Sequence, residues 1–405
     1  MSSKRFQKLT TTALKSVPRL QSWRCPHFPE CGGCALQDVA YADQVAAKRS
    51  AVLELWGDRL PDDLREVYVV EPSDDPFGYR LRMDYVCSDD RFGLRMRRRF
   101  FAIVDLDECH LIPPPLFEQV HAVYTCARSL GVPDYNVYRN TGFLRYLVVR
   151  RNVRDEWLLS FVTSEQGYNA ELEQAADFAL RAGATSVWWL INPRHADLSF
   201  GEPVTHWGAE HLPQYVLDRT LLMGPNTFFQ NNVRGFEAIL RYITPFVAGA
   251  PRLLDFYAGV GTIGITLAEH VGRVVAAELA EESVTLLRAN LQLNGLSKKV
   301  DVIAGDVADA LRFGYQPGDV LVADPPRAGL GPDVCKQLLR DGPERIVYVS
   351  CNPVTQANDC EQLAPGYRIV AARGFDLFPQ TFHVENVAVL ERLHFQDTAA
   401  ILPSQ

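Results

Sequence analysis

The sequence predicts an α/β protein: a Rossmann-like, doubly wound domain over residues 216–405, an α+β domain over residues 25–215, and a basic N-terminal tail over residues 1–24. Three observations carry this. From about Leu221 onward, short β-branched runs alternate with helical periods, the pattern of a mostly parallel sheet flanked by helices. A glycine turn, Gly259-Val-Gly261, follows an early strand of that series and precedes a helix. Upstream the alternation is missing, and hairpin-like runs mix with separate helices.

The bulk properties exclude several classes. A chain of 405 residues, 47% hydrophobic and 22% charged, has material for two or three globular cores. No apolar run approaches the roughly 18 residues of a membrane span, and the polar N-terminus shows no signal-peptide core, so a cytoplasmic home is expected. The net charge of −8 argues against a surface that is basic all over. The charge is uneven, however. Residues 1–160 hold 23 Lys and Arg against 21 Asp and Glu, and residues 161–405 hold 18 against 28. Arg95–Arg99 followed by Phe100 and Phe101 mixes cations with aromatics, which suits a nucleic-acid surface and a solvated hairpin equally.

Residues 1–24 read as a short mobile tail. Next come Cys25, Cys31 and Cys34, three thiols in ten residues with two glycines between the last pair, a compact chelating loop. Zinc usually takes evenly paired C-x₂₋₄-C units, so the wider spacing fits an iron–sulfur cluster better, though both remain open. Cys109, after a β-like run at Phe100–Leu106, is the best fourth ligand, and His110 a weaker one. Residues 41–60 form an amphipathic helix, with Val45, Val52, Leu55 and Trp56 on its apolar face. Strands are expected from Pro76–Met83, at Phe143–Val149, Trp157–Val162 and Ser186–Ile191, with a helix at Ala170–Ala182. Cys87 and Cys126 read as core.

The second domain opens with a polar, aromatic turn, Gly224–Asn232, and a helix at Val233–Val247. Strands are expected at Arg252–Tyr257, Arg273–Glu278, Val300–Ile303, Asp319–Ala323, Ile346–Val349, Tyr367–Phe375 and Asn386–Leu393, and helices at Ile263–His270, Glu281–Asn294 and Pro332–Arg340. In such sheets, ligands bind beyond the strands' carboxyl ends. The chemistry-bearing residues gather there. Gly259, Gly261 and Gly264 match a GxGxxG turn, Glu278 stands where a carboxylate can take ribose hydroxyls, and Asp255 and Asp306 end neighbouring strands. NAD and S-adenosylmethionine sites share this geometry. Asp324-Pro-Pro-Arg327 then fixes a carboxylate rigidly at the sheet edge, which a dehydrogenase does not need. Cys351 follows the next strand in a Ser-Cys-Asn-Pro turn. A lone cysteine there is as readily a small hydrophobe as a nucleophile. Glu385, with His383 just before it, supplies a base at the same edge. A thiol that adds to uracil C6 makes C5 nucleophilic, and a base must afterwards remove the C5 proton.

Taken together, Cys25/Cys31/Cys34/Cys109, Phe228-Phe-Gln230, Leu254-Asp-Phe-Tyr-Ala-Gly-Val-Gly261, Asp324-Pro-Pro-Arg327, Ser350-Cys-Asn-Pro353 and His383-Val-Glu385 resemble the RNA uracil-C5 methyltransferase family, which makes 5-methyluridine. The resemblance spans nearly all of residues 25–394. It implies a Rossmann-like S-adenosylmethionine-dependent methyltransferase domain plus an α+β iron–sulfur and RNA-binding domain. Cys351 would be the nucleophile and Glu385 the proton-abstracting base. Gln230, Tyr257, Glu278 and Asp324 would contact S-adenosylmethionine or the target base, with Asp306 and Thr262 as further contacts. The four cysteines would hold a [4Fe-4S] cluster. Tyr79-Arg80 and Thr141–Arg145 resemble RNA-facing segments. Many members carry an N-terminal OB-like barrel, whereas 24 residues precede Cys25 here. RNA grip is therefore expected from the middle domain and the Arg95–Arg99 patch. The expectation is methylation of uracil C5 in structured RNA, ribosomal before transfer RNA, by a monomer with no obligate protein partner. The alternatives are a non-catalytic iron–sulfur RNA-binding protein, or an amino-methyltransferase using Asp-Pro-Pro, which usually has an aromatic where Arg327 stands.

Overall fold

The computed structural model describes residues 2–311 and 314–393; the end of the second domain, residues 394–405, lies outside them. Eight strands form the catalytic sheet, in the spatial order Val70–Glu71, Tyr367–Phe375, Glu385–Arg392, Arg345–Ser350, Val320–Ala323, Arg252–Phe256, Arg273–Glu278, Val300–Ala304. The five strands from Arg345–Ser350 to Val300–Ala304 are mutually parallel, so their carboxyl ends share one edge. Glu385–Arg392 runs antiparallel to both its neighbours, with Ser350 opposite Asn386 and Phe375 opposite Glu385. That reversal brings the strand's first residue to the edge where the others end.

These strands are near-continuous apolar runs because helices cover both faces of a parallel sheet. Leu253, Val274, Val322 and Val347 face one core with the helix Val233–Val247, and Leu254, Leu321, Ile346 and Tyr348 face the other. The second core also takes Val52, Leu55 and Trp56 from the helix Tyr41–Trp56. The middle of the chain builds a seven-stranded sheet, ordered Glu202–Gly208, Ala184–Ile191, Trp157–Thr163, Leu144–Arg151, Arg82–Ser88, Arg91–Met96, Arg99–Asp105. One face packs under the helices Pro114–Ser129 and Asn169–Arg181, and the other joins the catalytic core through Tyr146, Val148 and Leu158. Among the described residues no helix is long and apolar enough to cross a membrane.

Three features differ from the sequence reading. The expected mobile tail contains a helix, Ser2–Ala13, which packs on Tyr41–Trp56 and on the helix Pro353–Leu363. Its basic count obscures an inward stripe at helical spacing, Phe6 and Leu9 against the core with Thr10 buried beside them. Secondly, Val70–Glu71 pairs with Gly374 and Phe375, which draws residues 41–71 into the catalytic layer, while the cysteine loop before them stays on the middle sheet. Thirdly, the Ser-Cys-Asn-Pro turn opens the helix Pro353–Leu363. The Asn352 side chain caps it by accepting from the Val354 N–H, and Pro353 occupies its first turn.

Candidate active site

The turn after Arg252–Phe256 is built by backbone conformation. Gly259 and Gly261 have φ of 56° and 91°, and a Cβ on Gly261 would run into Leu287. Tyr257 also lies in the left-handed region, φ 64°, where a non-glycine residue is uncommon. Glu278 closes the turn: its carboxylate accepts from the Gly259 N–H at 2.9 Å and the Ala280 N–H at 2.8 Å. Beneath it, Asp255 is fully buried and accepts from the Gly264 N–H at 2.8 Å, while its other oxygen has no partner. Burial pushes this carboxyl up to about 7, with Asp324 and Glu278 adding to the shift and the Gly264 N–H opposing it.

Gln230 and Asp324 meet at the same edge, the Gln230 amide donating to Asp324 at 3.0 Å. Burial holds Asp324 up at about 7, and the Gln230 bond opposes that shift. Cys351 is half-buried, one residue past the end of its strand. Burial pushes its thiol up to about 12; Glu385 and Asp324 push the same way, and the nearby Arg327 guanidinium pulls down. Glu385 is 4% exposed, with one carboxylate oxygen unpartnered. Burial first and Asp324 second hold it well above the usual carboxylate range, against Arg327. His383 is neutral: burial, Arg327, Lys48 and Arg80 push it down to about 4. A cleft of about 450 Å³ is lined by Cys351, Arg327, His383, Arg80, Gly33 and Phe6, among others.

Of the residues singled out from sequence, Gln230, Asp324, Cys351 and Glu385 thus come together, and Tyr257 and Glu278 flank the neighbouring turn. Asp306 has a local task, capping the short helix Val307–Ala310 through the Ala308 N–H at 2.8 Å. Thr262 begins the helix Thr262–Leu267. Arg327 was missed as a site residue. Its carbonyl accepts from the Asn352 amide at 2.9 Å and the Thr355 hydroxyl at 3.2 Å, which joins the Asp-Pro-Pro-Arg turn to the cysteine turn and brings its guanidinium to the thiol. Its position directly after Asp-Pro-Pro was the available signal.

The four predicted metal ligands also converge. Cys25, Cys31, Cys34 and Cys109 are all buried and line one small pocket with Phe28, Leu94 and Leu106. Burial and their mutual repulsion push these thiols up, Cys31 and Cys34 to about 12. Four thiols gathered in an apolar shell are a donor set that a cationic iron–sulfur group would satisfy. Among the described residues, no group of three or more His, Cys, Asp or Glu side chains is arranged to hold a single metal ion. His110 pairs with Glu108 at 3.2 Å and borders the same cavity.

The comparisons with known proteins agree with this geometry. A family model described as tRNA (uracil-5-)-methyltransferase matches residues 216–393. The tRNA (uracil(54)-C(5))-methyltransferase of Pyrococcus horikoshii is 35% identical over 93% of this chain and 88% of its own length. An uncharacterized RNA methyltransferase of Caldanaerobacter subterraneus is 33% identical over 91% of this chain and 84% of its own. The crystal structure of the Pyrococcus abyssi tRNA (uracil-54, C5)-methyltransferase in complex with S-adenosyl-L-homocysteine superposes with a TM-score of 0.75 at 31% identity, covering 89% of this chain and 86% of that one. With relatives of this breadth, the chain belongs to the tRNA (uracil-5-)-methyltransferase family and is an RNA uracil methyltransferase.

Proposed function

We propose that the enzyme methylates C5 of uracil in transfer RNA, with S-adenosylmethionine as methyl donor and a covalent bond between Cys351 Sγ and uracil C6 as the central intermediate. The observation that carries this reading is the convergence of Cys351, Asp324 and Glu385 at one edge, with Arg327 on the thiol. Gln230, Tyr257, Glu278 and Asp324 would bind the donor or orient the base, with Asp306 and Thr262 as further contacts. When bound, the donor supplies an electrophilic methyl on a sulfonium.

The chain's own residues do the rest. Cys351 loses its proton to solvent with help from the Arg327 charge and adds to C6, and the C5=C6 electron pair moves to C5 and the O4 enolate. After C5 has gained its methyl, Glu385, once it has released its own proton to solvent, takes the remaining C5 proton. The double bond re-forms and the C6–S bond breaks, returning the thiolate. A carboxylate held well above its usual range is the stronger base for that step. The target base must leave its stack to reach Cys351, since a stacked uracil hides C6. The two named Pyrococcus relatives act on transfer RNA, which favours that class over the ribosomal RNA expected from sequence, and uracil 54 is the position to test. We also read Cys25, Cys31, Cys34 and Cys109 as holders of a [4Fe-4S] cluster.

Transfer RNA carrying 5-fluorouridine tests the mechanism. It should form a stable adduct with wild type in the presence of the donor, because C5 then has no removable proton. Cys351→Ala should form none, and an equal yield from that variant would sink the covalent mechanism. A transcript with cytosine at position 54 should take up no methyl. For the cluster, protein purified without oxygen should contain equal iron and sulfide; a colourless, zinc-loaded protein would defeat that assignment.

A further inference from the structure

Outside the cleft, one surface feature has no part in methyl transfer. Phe100 and Phe101 stand 54% and 58% exposed on the hairpin of Arg91–Met96 and Arg99–Asp105, and Tyr138, from a separate loop, is 76% exposed. The three rings meet edge to face. Phe100 and Phe101 lie 5.2 Å apart at 88°, and Phe101 and Tyr138 lie 5.9 Å apart at 90°. Arg95 braces the group from one side, its guanidinium 4.2 Å from the Phe100 ring and paired with Asp197. Three clustered aromatics in water are unfavourable unless a partner covers them.

The charge around them says which partner. Residues 91–104 contain five arginines and no acid, and residues 135–144 contain Arg139 and no acid, in a chain whose net charge is −8. Arg97, Arg98 and Arg99 sit at the hairpin turn itself. Exposed aromatics with arginines beside them in the chain match unpaired nucleotides, whose bases stack on the rings while their phosphates meet the cations. The platform is also tied to the cleft. The Gly32 N–H donates to the Arg95 carbonyl at 2.8 Å and the Arg97 N–H to the Glu30 carbonyl at 2.8 Å, and Cys31 bridges to Met96. Gly32 and Gly33 in turn line the cleft with Cys351. The backbone of the cysteine loop therefore fixes the platform relative to the catalytic thiol.

We propose that Phe100, Phe101 and Tyr138 form a stacking platform that grips unpaired bases of the RNA substrate away from the target uracil, with Arg97, Arg98, Arg99 and Arg139 on its phosphates. This rests on the RNA-methylation reading. The test compares full-length wild type with the triple variant Phe100→Ala/Phe101→Ala/Tyr138→Ala, using unmodified transfer RNA as probe. All three side chains are exposed, so the fold should survive, and circular dichroism checks that. The triple variant should bind RNA on the order of tenfold or more weakly. The loss should fall in KM for RNA and spare kcat, and the slope of log affinity against log salt should stay as in wild type. Phe101→Trp should keep wild-type affinity, because an indole stacks as well. Arg98→Ser/Arg99→Ser/Arg139→Ser should instead flatten the salt slope, by about 0.7 for each single-strand phosphate that is no longer neutralised. Wild-type affinity in the aromatic triple variant overturns the platform, and so does a shift from dimer to monomer with RNA affinity unchanged, which would make a second copy the occupant. If the trio governs RNA binding but wild type methylates no uracil, the platform stands and the proposed reaction falls.

Discussion

At Cys351, two demands oppose each other. Burial and the nearby Glu385 and Asp324 carboxylates favour the neutral thiol, pushing it up to about 12, yet addition to C6 needs the thiolate. The opposing influences are the Arg327 guanidinium and the amino end of the helix Pro353–Leu363, which begins two residues beyond the sulfur. Arg327→Met should therefore slow iodoacetamide alkylation of Cys351 by about tenfold, one pKa unit being a factor of ten in thiolate at fixed pH. Because the thiol lies above the assay range, the wild-type rate should climb about tenfold per unit from roughly pH 7 to 9 without a plateau. Mass mapping of the Cys351 peptide reads both, and a plateau below about pH 8 would contradict this account. Cys351, Asp324 and Glu385 were legible in the sequence because each directly adjoins a strand end. Arg327 was not, since its action depends on one turn lying against another. Asp306 accepts from the Ala308 N–H as a helix cap, a task that the sequence does not distinguish from a ligand contact.

Between Tyr367–Phe375 and Glu385–Arg392, the connection 376–384 decides where the base sits, and it is strapped to elements far away in the chain. Lys48 and Asp376 form a fully buried ion pair at 2.7 Å, and Lys48 also donates to the Phe378 carbonyl at 3.1 Å. Gln44 and Gln380 exchange hydrogen bonds, and the Ala35 N–H donates to the Gln380 carbonyl at 2.7 Å. Asp376 keeps a second oxygen unpartnered, so it depends heavily on Lys48. Lys48→Met should destabilise the fold by about 3–5 kcal/mol, the usual cost of stranding a buried charge. Urea unfolding measures this, and Lys48→Met/Asp376→Asn should recover a large part of it. A Lys48→Met variant as stable as wild type would mean that the pair does not hold the loop. The helix carrying Lys48 was expected from the spacing of Val45, Val52, Leu55 and Trp56. That its polar side is buried as well could not be read, because the partners of Gln44 and Lys48 lie 336 and 328 residues away.

For the molecule as a whole, the strand and helix alternation after Leu221 revealed the sheet, since a buried parallel strand writes itself as a continuous apolar run. The association of the helix Ser2–Ala13 and of residues 41–71 with that sheet was not legible. It depends on a two-residue strand, Val70–Glu71, and on the stripe containing Phe6, signals too short to separate from chance. This architecture gathers three carboxyl groups, Asp255, Asp324 and Glu385, at one sheet edge under shared burial, and stability bears the consequence. Asp255 and Asp324 stand at about 7 in the fold against an ordinary 3.8, and Glu385 lies well above its 4.5. From about pH 4 to about pH 7 the native state therefore holds protons that the unfolded chain has released, and these groups make stability fall as pH rises through that window. Above it, Asp255 and Asp324 contribute a constant penalty. Asp324→Asn/Glu385→Gln can keep the Gln230 bond while removing two charges. Relative to wild type it should be near neutral in urea unfolding at about pH 4 and more stable by roughly 1–3 kcal/mol at about pH 8. Activity should be lost in the same variant, because both groups belong to the site. A difference from wild type that does not grow between those two pH values would show that the edge carries no such strain, and that Glu385 is ionised in the resting enzyme.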